Sequence, residues 1–290
     1  MNLSLVLTCL LAADPGAIAV SYEGQLTRFE RGQPAAVVKE FTARTVYQPL
    51  SGAQCRVATL VQESTQPLPW PEQFTVQSIP PEGEQLPVVI GYRHADRPYV
   101  IQALFPLFTS PQPLALEASW ETAGATFAVI GEKKVNEVPC WEVESVTGPA
   151  RRHRLLVRKD LPLIESLRQT VFMGQGDRFE LSITRTASEE LTGDAWTAER
   201  SLQEQLTQLQ IQLQRNPDDR AAGLTQQQVQ AAAKLVPGLV DNAQATPYAA
   251  FVTAVQRDQQ LQMQRVAGVA ELGAKFVGQQ APRFTLTRLD

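Results

Sequence analysis

Histidine and cysteine are scarce in this chain of 290 residues, and their scarcity limits the chemistry that it can perform. It contains two histidines and three cysteines. Neither His94 nor His153 is spaced with a second histidine, a cysteine or a carboxylate in the way that a zinc site requires. A glycine-rich phosphate loop, a Gly-x-Ser-x-Gly elbow and a His-Glu-x-x-His motif are also missing. We therefore predict no catalytic residue, no metal site and no cofactor, and we interpret both histidines as surface residues.

Positive charge is not in excess either. The 30 acidic residues outnumber the 26 basic ones and leave a net charge of -4. A surface of this sign repels phosphates, so we predict no nucleic-acid partner. The one dense basic cluster in the sequence is Arg151-Arg152-His153-Arg154. We interpret it as a solvated strand edge whose charge discourages pairing with other sheets.

Long hydrophobic runs are missing beyond the first residues, where a membrane span would need about 18 apolar positions. Residues 1–13, MNLSLVLTCLLAA, resemble a secretory signal peptide, although they lack its usual Lys or Arg. We expect export to the periplasm or beyond, with a misassigned start or a buried first strand as the alternatives. Removal of this leader would leave Cys55 and Cys140. Each lies in an apolar, strand-like run, so we expect two small buried hydrophobes rather than a disulfide.

The region 17–187 has the pattern of an antiparallel sheet. The clearest hairpin joins Thr170–Met173 to Phe179–Thr184 through Gly174-Gln175-Gly176-Asp177, with Phe179, Leu181 and Ile183 on one face. Turn signals recur every eight to twelve residues, which favours a curved antiparallel sheet or half-barrel over a βαβ arrangement.

Helical spacing replaces the strand pattern near residues 188–194. Leu202, Leu206, Leu209 and Leu213 form one apolar stripe. Thr225 and Gln228 form a capping box that opens a second helix, which Pro237-Gly238 is expected to close, and Thr246-Pro247 opens a third. The predicted fold is therefore α+β, with a small helical subdomain over 194–277.

Aromatic residues of the sheet region are the candidate ligand-binding residues. An apolar cavity inside a curved sheet could be lined by Phe105, Trp120, Phe127, Trp141 and Phe179. The alternative is that the same residues fill an ordinary core.

Two family resemblances come from specific segments. The first resemblance is carried by four segments of the middle region: Trp70–Phe74, Pro106–Phe108, Gly131–Val135 and Val171–Gly176. They resemble the region that precedes the thioredoxin-like domain in exported bacterial redoxin proteins, notably of planctomycetes. The run Leu155–Pro162 more loosely resembles the lipoprotein-carrier type of half-barrel.

The last segment carries the second resemblance. Residues 278–290 contain Ala281-Pro282-Arg283-Phe284 and are similar to the opening of redoxins of the thiol-disulfide reductase and peroxiredoxin type. In that family a reactive cysteine follows some tens of residues later, beyond Asp290. The resemblance thus implies oxidoreductase or peroxidase activity in a missing domain and assigns no catalytic residue here.

Two functions of different classes follow from these observations. The first is a non-catalytic scaffold that positions a missing redoxin domain in the periplasm. The alternative is a binding module in its own right, whose half-barrel holds a lipid or an extended peptide. An enzyme acting by itself is the weakest option.

Overall fold

The computed structural model describes residues 16–51, 54–65, 67–80, 87–122, 124–147, 151–214 and 224–276. The predicted signal peptide (1–13) and the redoxin-like segment (278–290) lie outside the described residues. The chain divides into two compact units between Gln203 and Glu204.

Within the residues that the structure describes, the first unit contains twelve strands, a one-turn helix and the first half of a longer helix. The strands are β1 (Ala17–Phe29), β2 (Ala36–Pro49), β3 (Cys55–Glu63), β4 (Phe74–Ile79), β5 (Val88–His94), β6 (Arg97–Ala103), β7 (Ser119–Thr122), β8 (Ala125–Val135), β9 (Val138–Thr147), β10 (Arg151–Arg158), β11 (Ile164–Met173) and β12 (Asp177–Leu191). The helices are α1 (Trp70–Gln73) and α2 (Gly193–Gln212), the second of which continues into the second unit.

Ten of these strands form one open antiparallel sheet in the order β4-β3-β2-β1-β12-β11-β10-β9-β8-β7. The chain runs outward from β1 to one edge, resumes at the other edge with β7, and returns to the centre, where β12 pairs with β1. The α+β prediction, an open antiparallel sheet followed by helices, is confirmed.

One face of the sheet, which we call the core face, carries the main apolar core. Phe179, Leu181 and Ile183 of β12 are all buried there, as their alternation predicts. The turn between β11 and β12 is built as the sequence indicates, because Gly174 and Gly176 both have positive φ angles that other residues rarely adopt.

Strands β5 and β6 form a separate two-stranded sheet, which we call the cover hairpin. Its buried side chains Val88, Ile90, Ile101 and Ala103 belong to the same core cluster as the core face. In the part of the chain that the structure describes, no backbone ladder joins the cover hairpin to the ten-stranded sheet. The hairpin therefore lies on the core face as an added layer.

The opposite face of β2 and β3 contacts the first half of α2. The carboxylate of Glu199 accepts two hydrogen bonds from Arg44, at 3.0 and 2.9 Å. Arg56 donates to the side-chain oxygen of Gln203 at 2.6 Å. Both faces of this part of the sheet are thus covered within the first unit.

The second unit contains α3 (Gln226–Ala243) and α4 (Ala249–Phe276). Thr225 and Gln228 form the predicted capping box. The expectation that Pro237-Gly238 ends this helix is wrong: α3 continues to Ala243. Burial of Val236 and Leu239 on either side of the proline stabilises the helix across it, despite the lost backbone hydrogen bond.

One expectation about the sheet region needs correction. The basic cluster 151–154 lies on β10, an interior strand between β9 and β11, so it is not a sheet edge. Its Arg154 is satisfied instead by Glu142 and Glu144 of β9, at 3.5 and 3.6 Å.

The register of β12 can be tested with one pair of variants. We expect Phe179→Ala to lower the free energy of unfolding by about 3 to 5 kcal/mol, because it leaves a cavity in the core. Glu180→Ala should change it by about 0.5 kcal/mol or less, since that side chain points away from the core. Urea unfolding followed by circular dichroism measures both, and equal losses would contradict the register.

Candidate ligand-binding face

A buried ion pair attaches the cover hairpin to the sheet on the β3 side. The side chains of Lys39 and Glu63 are fully buried, with 3.1 Å between Lys39 Nζ and Glu63 Oε1. The same carboxylate accepts hydrogen bonds from the backbone N–H of Leu68 at 2.6 Å and of Gly91 at 2.9 Å. Burial lowers the pKa of Lys39, and the Glu63 carboxylate opposes that shift. One carboxylate therefore joins β2, β3, the following loop and β5.

The tip of the cover hairpin is attached to the β11–β12 turn by two hydrogen bonds, which we call the clasp. His94 Nε2 lies 2.5 Å from Asp177 Oδ2, and the hydroxyl of Tyr99 accepts the Gly174 N–H at 2.9 Å. The imidazole also packs edge-on against Phe179, with 5.1 Å between ring centroids. The prediction that His94 is a surface residue is wrong, because it is buried in this contact.

Loss of the clasp should loosen the cover hairpin and leave the sheet intact. We expect Asp177→Asn to speed hydrogen exchange of the β5 and β6 amides, because local opening then breaks fewer contacts. Amides of β1 and β12 should keep their protection. Asp160→Asn, which alters another exposed aspartate that pairs with a basic side chain, Arg158, is the matched control. Equal acceleration throughout the sheet would contradict this role for the clasp.

The five predicted aromatic residues all belong to the core face or pack against it. Phe105, Phe127 and Phe179 are buried, whereas Trp120 and Trp141 are half-buried at its margin. They do not form one group: Trp120 stacks on Phe127 at 5.4 Å, while Phe179 contacts Tyr92 at 5.8 Å.

Phe105 and Trp141 have surroundings of their own. The ring of Phe105 meets that of Tyr22 edge-on at 5.2 Å. Lys159 Nζ lies 3.8 Å from the Trp141 ring centroid, a cation–π contact. The five residues are thus distributed along the core face, and whether they bind a ligand stays a prediction.

Sequence reasoning missed a line of polar side chains across five neighbouring strands, β1, β12, β11, β10 and β9. This polar row consists of Tyr22, Arg185, Glu165, Arg158 and Cys140. Tyr22 and Arg185 are cross-strand neighbours, and Arg185 Nε donates to Glu165 Oε2 at 2.5 Å. Arg158 Nε lies 3.8 Å from Glu165 Oε1. On its other side, Arg158 is the cross-strand neighbour of Cys140 in the β9–β10 ladder. The only sign of this row in the sequence was Glu165, a single charged residue within the apolar start of β11.

The electrostatics of the polar row do not favour thiol chemistry. Burial raises the pKa of Cys140 to about 11, and the nearby Glu165 carboxylate adds to the shift. Burial also raises the pKa of Cys55. Both thiols are free. Since thiol-disulfide exchange needs a thiolate, neither cysteine is suited to it at neutral pH.

The raised pKa of Cys140 predicts a loss of stability in alkali. The thiol of the unfolded chain loses its proton near pH 9, whereas the folded thiol keeps it to about pH 11. Over this interval the folded state binds more protons, so stability falls as pH rises, by about 3 kcal/mol in total.

Comparison of wild type with Cys140→Ala isolates this contribution. The difference in their free energies of unfolding in urea should shrink between about pH 8 and about pH 11. Cys55→Ala, at the half-buried thiol, serves as the control and should show a weaker dependence. A pH-independent difference for Cys140→Ala would show that the folded thiol ionises normally.

No group of three potential metal ligands occurs among the described residues. Within the same residues, no helix is both long enough and apolar enough to cross a membrane.

No protein-family model matches the chain, and no curated protein matches it. The solved structures similar to it include a DUF1329 family protein from Desulfovibrio piger, with 11% identity and a TM-score of 0.21 over 62% of this chain and 87% of that one. The Pseudomonas aeruginosa MucA/MucB complex is similar with 14% identity and a TM-score of 0.28, over 64% of this chain and 56% of the matched chain. A LolA superfamily protein from Nitrosomonas europaea is similar with 6% identity and a TM-score of 0.17, over 62% of this chain and 87% of that one. TM-scores this low do not establish a common fold, so function must be inferred from the chain's own residues.

Proposed function

We propose that the chain binds an apolar, chain-like molecule such as a lipid acyl chain on the core face of the half-barrel. In this proposal the ligand displaces the cover hairpin and takes its place. The observation that carries the proposal is that the core face is covered by a hairpin sharing no described backbone ladder with the sheet. Such a layer can move without breaking the hydrogen bonds of the ten strands.

Apolar exposure around the cover supports a ligand of this class. Leu116, in the connection between β6 and β7, is 57% exposed. Trp120 and Trp141 are half-buried at the margin of the core face. An apolar chain entering there would meet aromatic and aliphatic surface before it reached the buried core.

The energy of displacement sets a minimum ligand length. Opening exposes Val88, Ile90 and Ile101, at a cost of about 1.5 to 3 kcal/mol each. A buried methylene contributes about 0.8 kcal/mol, so roughly six to eleven methylenes are needed to offset the three side chains. The proposal therefore favours long acyl chains over short ones.

Displacement of a fluorescent phenylnaphthylamine dye by fatty acid methyl esters of increasing length tests the proposal. Ile90→Ala should tighten binding about tenfold, because a smaller buried side chain lowers the cost of opening by at least about 1.4 kcal/mol. Val100→Ala is the matched control on the exposed side of the hairpin and should leave affinity unchanged. Circular dichroism checks that both variants fold. Absence of dye binding, or weaker binding by Ile90→Ala, would overturn the proposal.

The scaffold hypothesis is retained as a second candidate because of α4. Leu261, Met263, Val269 and Leu272 are exposed apolar residues on this helix, and the redoxin-like segment 278–290 follows it in sequence. A protein partner for α4 would bury them. Sequencing the gene beyond the Asp290 codon tests this candidate, which requires a reactive cysteine downstream. Either function is proposed to operate after export.

A further inference from the structure

Two buried polar atoms at one end of the core face have no hydrogen-bond partner among the described residues: Tyr22 Oη and Glu165 Oε1. Tyr22 is 1% exposed and Glu165 is fully buried. Buried polar groups are nearly always hydrogen-bonded, because an unmade bond loses the hydration that the group had in water. Two such atoms in one polar row require an explanation.

These atoms lie where the apolar core meets the polar row. The Tyr22 ring contacts Phe105 edge-on at 5.2 Å, and both rings belong to the core cluster. Arg185, the cross-strand neighbour of Tyr22, donates a hydrogen bond to Glu165, so Tyr22, Arg185 and Glu165 follow one another across β1, β12 and β11. Burial raises the pKa of Tyr22, and Glu165 is the largest charged contribution to that shift. An alkyl chain on the core face would therefore end beside two unpartnered polar atoms.

The charges of the row are already balanced. Glu165 is paired with Arg185 at 2.5 Å and approached by Arg158 at 3.8 Å. Arg158 is itself bound by Asp160, at 2.6 Å. An added carboxylate or phosphate would be repelled by the buried Glu165, and an added ammonium by the two guanidinium groups. A neutral group fits this balance best.

We infer that Tyr22 and Glu165 form a binding site for the terminal hydroxyl of an alkyl ligand. A hydroxyl donates one hydrogen bond and accepts another. It can donate to Glu165 Oε1 while it accepts from Tyr22 Oη, so one group satisfies both atoms. This inference rests on the proposed function and specifies the ligand as an apolar chain with a neutral hydroxyl end.

Matched ligands test the inference through dye displacement. Decanol can make both hydrogen bonds, whereas decyl methyl ether cannot donate one. We expect wild type to bind decanol about tenfold more tightly, since a hydrogen bond to a charged group is being lost. Tyr22→Phe and Glu165→Gln should each reduce that preference at least threefold. Tyr92→Phe, a tyrosine on the cover hairpin, should preserve it.

Stability of the ligand-free protein gives an independent readout. Tyr22→Phe removes an unpartnered buried hydroxyl, so we expect its urea midpoint to rise although its preference for decanol falls. A lower midpoint would show that the hydroxyl is already satisfied and would overturn the inference. Equal wild-type affinity for the two ligands would overturn it alone, whereas failure of the dye and every fatty acid methyl ester to bind would overturn the proposed function as well.

Discussion

Pairing of β1 with β12 is the constraint on which the rest of the first unit depends. The strands β1 to β4 form one meander and β7 to β12 another, and this single ladder makes them one sheet. On the other side of β1, in its ladder with β2, Gly24 has no side chain. The ring of its cross-strand neighbour Phe41 occupies the space that a side chain would need. A continuous core face, wide enough to hold a separate hairpin, exists only because the two meanders join there.

The polar contacts on this face differ in how completely they are satisfied. Glu63 is surrounded by Lys39 and two backbone N–H groups, so it stabilises the attachment of β5 once the desolvation cost is met. Glu165 has one satisfied oxygen and one unsatisfied. The hydrogen bonds of Glu63 are explained by its role in holding the hairpin to the sheet. The unpaired oxygen of Glu165 has no such explanation within the described part of the folded chain, which indicates a functional role for that residue.

Local patterns predicted much of the fold. Alternation placed Phe179, Leu181 and Ile183 in the core, and the glycines at 174 and 176 gave the hairpin. Patterns did not predict that β10 is interior, since its Arg154 is paired with Glu142 and Glu144 of β9, which are near it only after folding. The helix boundary at Pro237 failed for a similar reason, because tertiary burial outweighed a local preference.

The candidate site was less predictable than the fold. Large aromatic residues are easy to find in a sequence, and those selected do lie at the core face. The clasp and the polar row join residues far apart in the chain, for example His94 with Asp177 and Tyr22 with Arg185. Nothing local distinguishes these residues, because their roles are created by the register of strands that pair across the whole unit.

The central position of the β1–β12 ladder has a consequence during synthesis. Strand β1 is made early, yet its partner on one side is complete only when Leu191 has left the ribosome. Until then the first meander presents β1 as an open edge, a template on which another unfinished chain can pair. Such late, long-range pairing is slow to form. Pairing at this open edge therefore competes with the native β1–β12 ladder until β12 is available.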